Sequence, residues 1–235
     1  MLLLGGIPVV SAQNIYMMGD SHVGSKVYPN KVEEMIRSKY PDIKFTYWFK
    51  NGLFFSNFSS NPNYYSKISD FKTDILVLNM GTNEAYTEKF SPENFRKHLS
   101  SFYEGLIKRM PYIKVVFVTP FTNKLKVKGK FKVNENNSLA SDEILSFVAD
   151  HPDTYAIDIN EEAGTSFIDT PGLIRDNVHL TLEGYRILGE RVGEDLLDIP
   201  ELWPRTQEDF ATGEGAEDLL KIPALEEEFN KKETE

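Results

Sequence analysis

The 235-residue chain contains no cysteine. Disulfides, thiolate zinc sites and a cysteine nucleophile are thereby excluded. No apolar stretch approaches the ~18 residues that a membrane-spanning helix needs. Basic residues are in the minority, with 26 Lys and Arg against 36 Asp and Glu and a formal net charge of −10. The imbalance is concentrated at the C-terminus, where residues 201–235 hold eleven acidic and four basic side chains. The rest of the chain is close to neutral. Nucleic acid is not an expected partner, because phosphate recognition needs clustered Lys/Arg and a positive field. Histidine is also scarce, at four residues, so each can be weighed singly.

What remains is ordinary for a soluble globular protein: 40% hydrophobic and 26% charged residues. The length suits one α/β domain with a large core. We divide the chain into residues 1–13, a domain over 14–200 and an acidic extension over 201–235. Residues 1–13 read as the end of a signal peptide. Leu2–Val10 forms a short apolar core, and Val10-Ser11-Ala12 places small residues before a cut after Ala12. This predicts export, periplasmic or secreted. The alternative is a buried N-terminal strand or an apolar tail on a cytoplasmic protein.

Apolar runs at Asn14–Met18, Ile43–Phe49, Asp74–Met80, Tyr112–Thr119 and Tyr155–Ile159 predict strands. Helices are predicted over Lys31–Tyr40, Ser91–Met110, Ser141–Ala149 and Thr181–Leu197. Ser91-Pro92-Glu93 is a helix start, with a Ser cap, Pro in the first turn and an acid behind it. Strands alternating with helices argue for a parallel sheet covered on both faces. Ligands bind such sheets at the carboxyl ends of the strands. Lys124–Val133, five lysines in alternation around Gly129, predicts a solvated β-hairpin. A basic flap beside the site is the functional alternative.

Three short motifs fall where this architecture puts chemistry. Gly19-Asp20-Ser21-His22 follows the first strand, and Gly81-Thr82-Asn83-Glu84 follows the third. Asp176-Asn177-Val178-His179 precedes the last helix. Serine is a weak nucleophile that needs a base within hydrogen-bond reach. His179 is the candidate base, with Asp176 close enough in the same loop to orient it. Asn83 is placed to aim an amide at a developing oxyanion. Gly52 offers a backbone N–H with little steric hindrance. His98, within a helix, and His151, in a turn, read as structural or exposed. The side chain of His22 is expected to point away from Ser21.

With these motifs the chain resembles the SGNH (GDSL-type) hydrolase family. Ser21 matches the nucleophile of the first block, Gly52 the glycine of the second and Asn83 the asparagine of the third. Asp176 and His179 match the Asp-x-x-His of the fifth. The resemblance implies a three-layer α/β/α, flavodoxin-like doubly wound sheet. It also implies an oxyanion hole of the Ser21 N–H, the Gly52 N–H and the Asn83 amide. The third block departs from the usual Gly-x-Asn-Asp, because Glu84 follows Asn83. Gly-Thr-Asn-Glu-Ala is similar to the form in bacterial carbohydrate and peptidoglycan O-acetylesterases. The implied activity is hydrolysis of a small acyl ester, acetyl on a glycan in the leading reading, with no metal or organic cofactor. Two alternatives stand beside it. One is a lipase or lysophospholipase whose aromatic stretch Phe54–Tyr65 lines an acyl groove. The other is a catalytically silent polysaccharide-binding module.

Overall fold

The computed structural model describes residues 13–121, 133–160, 172–176 and 178–203. Residues 1–12, the lysine-rich stretch up to Lys132 and the acidic extension beyond Trp203 lie outside the described residues, and so do the readings that concern them.

Five strands form a wholly parallel sheet: Asn14–Gly19 (β1), Lys44–Phe49 (β2), Ile75–Asn79 (β3), Lys114–Val118 (β4) and Thr154–Ile157 (β5). Their spatial order is β2-β1-β3-β4-β5, the doubly wound, flavodoxin-like order. Every residue of β3 is buried, as a continuous apolar run at the centre of a parallel sheet should be. At the edge, the inner residues of β2 are half-buried and its ends exposed.

Alternate strand residues feed two cores. Tyr16, Met18, Leu76, Leu78, Val115 and Phe117 point into a cluster with Phe55, Phe58, Tyr65, Phe95, Phe102 and Phe147. These come from the segment after β2 and from helices Asn63–Asp70 (α3), Pro92–Ile107 (α5) and Val133–Ala149 (α6). On the opposite face Val27–Lys39 (α1) packs against Leu182–Leu197 (α7). Their buried faces include Tyr28, Val32 and Ile36 from α1, and Leu188, Val192 and Leu196 from α7. The result is three layers, α/β/α. No helix among the described residues is long and apolar enough to cross a membrane.

Several boundaries differ from expectation. α6 begins at Val133, eight residues before Ser141. Its first turns turn asparagines inward, and backbone carbonyls satisfy them: Asn136 Nδ2 donates to Ala85 O at 2.8 Å and Asn137 Nδ2 to Phe121 O at 3.1 Å. An apolar period cannot reveal inward polar positions. α1 starts at Val27, where Tyr28 is already fully buried. The stretch after Gly52, without an assigned element from sequence, contains a short helix at Ser56–Ser60 (α2) before α3. Phe55, Phe58, Tyr64 and Tyr65 are core residues there, so of that aromatic stretch Phe54 is the ring left half-buried.

Candidate active site

β1 and β3 are neighbours, and Gly19 pairs with Asn79. Between them the strand order reverses, which is where a doubly wound sheet opens its binding crevice. The chain leaves β1 into Asp20 and Ser21, and leaves β3 into the short helix Thr82–Ala85 (α4) that carries Asn83. Gly19 permits this closeness. A Cβ there would lie 2.5 Å from Asn79 O and 2.5 Å from a Val23 methyl. Gly81, at φ 115°, turns the chain into α4 in a conformation that L side chains rarely adopt.

The third piece is the loop before α7. Arg175 N–H donates to His179 O at 2.8 Å, and Ile174 and Leu180 form an antiparallel bridge, so Asp176 and His179 are folded onto each other. Thr181 caps α7 by accepting from Gly184 N–H at 3.2 Å, and its hydroxyl donates to Gly172 O at 2.9 Å. His179 Nδ1 lies 2.9 Å from Asp176 Oδ1, and His179 Nε2 lies 2.9 Å from Ser21 Oγ. A carboxylate can only accept, so Nδ1 carries the proton and Nε2 is left to accept from the Ser21 hydroxyl.

Asp176 is held as an anion. Partial burial opposes its charge. The His179 N–H, the Arg175 guanidinium, the His179 imidazole and the Val178 N–H outweigh that opposition and hold its carboxyl well below the usual range. Arg175 Nε and Nη2 both reach Asp176 Oδ2, at 3.1 and 2.9 Å. A cavity of about 440 Å³ opens beside Ser21 and His179, lined also by Ser25, Asn51, Arg175, Leu182 and Tyr185.

Asn83 is tied to the residue before Ser21. Its Nδ2 donates to Asp20 Oδ2 at 3.1 Å and to Leu53 O at 3.2 Å. Both amide protons therefore point at protein acceptors. Gly52 sits in the turn after β2 at φ 67°, exposed, between Asn51, which lines the cavity, and the buried Leu53. Among the described residues neither the Ser21 nor the Gly52 backbone N–H has a hydrogen-bond partner.

The other histidines do different work. His22 is buried, with Nδ1 3.1 Å from Tyr185 OH and its ring 5.6 Å from that of His179. Burial, and then the neighbouring His179, push its pKa down to about 3, which favours the uncharged ring and makes it a weak base. His151 stacks on Phe147 at 3.8 Å. Sequence reasoning passed over Asp20 and Arg175 as working parts. Asp20 lies inside the first motif and Arg175 beside the third, so adjacency was the available signal. Among the described residues no group of three or more His, Asp or Glu side chains is placed to hold a metal ion.

A similar fold is found in a peptidoglycan O-acetylesterase (TM-score 0.64, 10% identity, covering 80% of this chain and 91% of that one). An acetyl xylan esterase, AlAXEase, is similar at TM-score 0.63 and 18% identity, over 78% of this chain and 99% of its own. A lipase/acylhydrolase from Enterococcus faecalis is similar at TM-score 0.63 and 18% identity, over 83% and 99%. At these identities the likeness concerns the fold. No curated protein matches the chain. The model of the GDSL-like lipase/acylhydrolase family matches residues 30–187, which include Asn83, Asp176 and His179. That match spans most of the chain and both of the later motifs, and the chain belongs to the GDSL-like lipase/acylhydrolase family.

Proposed function

We propose that this acylhydrolase is a serine esterase that removes small acyl groups, acetyl foremost, from a carbohydrate through an acyl-serine intermediate. The observation that carries this reading is the unbroken line from Asp176 through His179 to Ser21 at the cavity wall. His179 Nε2 takes the hydroxyl proton as Ser21 Oγ bonds to the ester carbonyl carbon. The carbonyl oxygen becomes an oxyanion, received by the Ser21 N–H, the Gly52 N–H and the Asn83 amide. Asn83 can donate a hydrogen bond to it by releasing Asp20 or Leu53, since both its N–H groups are engaged with those acceptors. Collapse expels the sugar alkoxide, which takes the proton from His179. Water then attacks the acyl-serine with His179 as base again, releasing the acid and restoring Ser21.

A glycan acetyl ester fits the third block and matches what two of the similar structures are named for. A second reading, an esterase for longer acyl chains, draws on the cavity's apolar wall of Leu180 and Leu182, the latter 70% exposed. Two measurements test these readings, the first their shared chemistry and the second the choice between them. Ser21→Ala and His179→Ala are each expected to lower kcat ~10⁴-fold or more on a short-chain ester, and Asp176→Asn to lose less. Turnover near wild type in either alanine variant removes the assignment. Rate against acyl length is expected to peak at acetyl, and a maximum at eight carbons or more favours the longer-chain reading.

A further inference from the structure

Glu84 is the residue by which the third block departs from the usual family pattern, and its side chain is not where an acid after a turn belongs. It is 7% exposed. Oε1 accepts from Phe55 N–H at 2.7 Å, across 29 positions of sequence. The neighbouring Asn83 donates to Leu53 O at 3.2 Å. Two consecutive side chains of α4 therefore grip one short segment, one by donating and one by accepting. The remaining N–H groups of that segment are held as well: Leu53 N–H by Lys50 O at 3.1 Å, and Phe54 N–H by Asn57 Oδ1 at 2.9 Å. Gly52 is the residue immediately before this clamped run.

A buried carboxylate is an expensive clamp. Oε2 has no hydrogen-bond partner among the described residues. Burial raises the Glu84 pKa to about 7, the Phe55 N–H and its own backbone N–H oppose the rise, and buried Asp20 adds to it. An apolar side chain would avoid the desolvation of the carboxyl but leave the buried Phe55 N–H without an acceptor. What the clamp secures is geometry, because a donor misplaced by about an ångström can cost a large factor in rate.

We propose that Glu84 is a positioning residue that sets the Gly52 side of the oxyanion hole against the Asn83 side. This rests on the reading of Gly52 and Asn83 as oxyanion donors. Its action is through Phe55 N–H; it does not touch the substrate.

The test compares Glu84→Met, which keeps the bulk but loses the acceptor, with Glu84→Gln, which keeps an acceptor oxygen. Both are made in the full chain, with wild type and Ser21→Ala beside them, on a short-chain ester. Glu84→Met is expected to lower kcat ~10- to 100-fold, less than full loss of an oxyanion donor, with KM within about threefold of wild type. Glu84→Gln is expected to recover most of that loss. Equal kcat in the Met variant and wild type overturns the proposal. So does equal impairment of Met and Gln, or a loss confined to KM. If Glu84→Met does not fold, Glu84→Gln decides alone: kcat below about a tenth of wild type overturns the proposal, and a higher value supports it. The underlying reading fails separately, by an active Ser21→Ala or by an Asn83→Ala that keeps wild-type kcat.

Discussion

His179 can act as a base because two neighbours have settled its options. Asp176 accepts at Nδ1, and Ser21 Oγ waits 2.9 Å from Nε2. Arg175 adds to the arrangement by holding the second oxygen of Asp176. That pair is more than half exposed on the arginine side, so solvent and salt screen it. Arg175→Gln is therefore expected to lower kcat/KM less than tenfold, about the limit for an exposed ion pair. The effect should shrink as ionic strength rises. Steady-state rates on a short ester at low and high salt check this, and a loss as deep as that of His179→Ala contradicts it. Ser21, His179 and Asp176, which the structure brings within hydrogen-bond distance of one another, were legible in the sequence as candidates because each motif keeps its residues within a few positions. Asp20 and Arg175 were legible as letters but not as parts, and Glu84 was legible as a departure from the family pattern whose partner could not be read. Their roles come from contacts with Asn83, Asp176 and Phe55, and two of those partners lie far off in the chain.

At the scale of elements, the site depends on how the last helix begins. The Thr181 hydroxyl accepts from Gly184 N–H and donates to Gly172 O, so one side chain both caps α7 and closes the loop that carries His179. Thr181→Ala is expected to cost ~1 kcal/mol of stability, read as a lower Tm, with a fall in kcat larger than that loss alone explains. An unchanged Tm contradicts the capping role. Strands were legible from composition, since β1, β3 and β4 are apolar runs in a sheet covered on both faces. Helices were legible where the apolar period was clean, as in α5 and α7. They were hidden where polar groups face inward, as Asn136 and Asn137 do in α6, or where a helix is too short to show a period, as in α2 and α4. Gly52 and Asn83 were legible as candidates, but the contacts that hold segment 53–55 were hidden for the same reason, because that segment belongs to no long element.

At the scale of the molecule, two buried acids stand behind the switch point of the sheet. Burial pushes the pKa of Asp20 up to about 7 against the pull of the His22 N–H, and burial raises Glu84 likewise. Each keeps its proton in the folded chain at a pH where the unfolded chain has released it. Their stabilisation is whole below the ordinary carboxylate range and is lost as pH rises to about 7. Glutamine does not titrate, so the Tm of Glu84→Gln minus that of wild type should rise between about pH 4.5 and pH 7 and then level off. A difference that stays flat across that range contradicts the burial argument. The central claim is that Ser21 is a nucleophile activated by His179, and covalent labelling of the folded chain with a fluorophosphonate tests it most directly. The account predicts one adduct per chain, mapped by mass to the peptide holding Ser21, and its near-absence in His179→Ala. An adduct on another residue, or Ser21 labelled at the wild-type rate without His179, would contradict it.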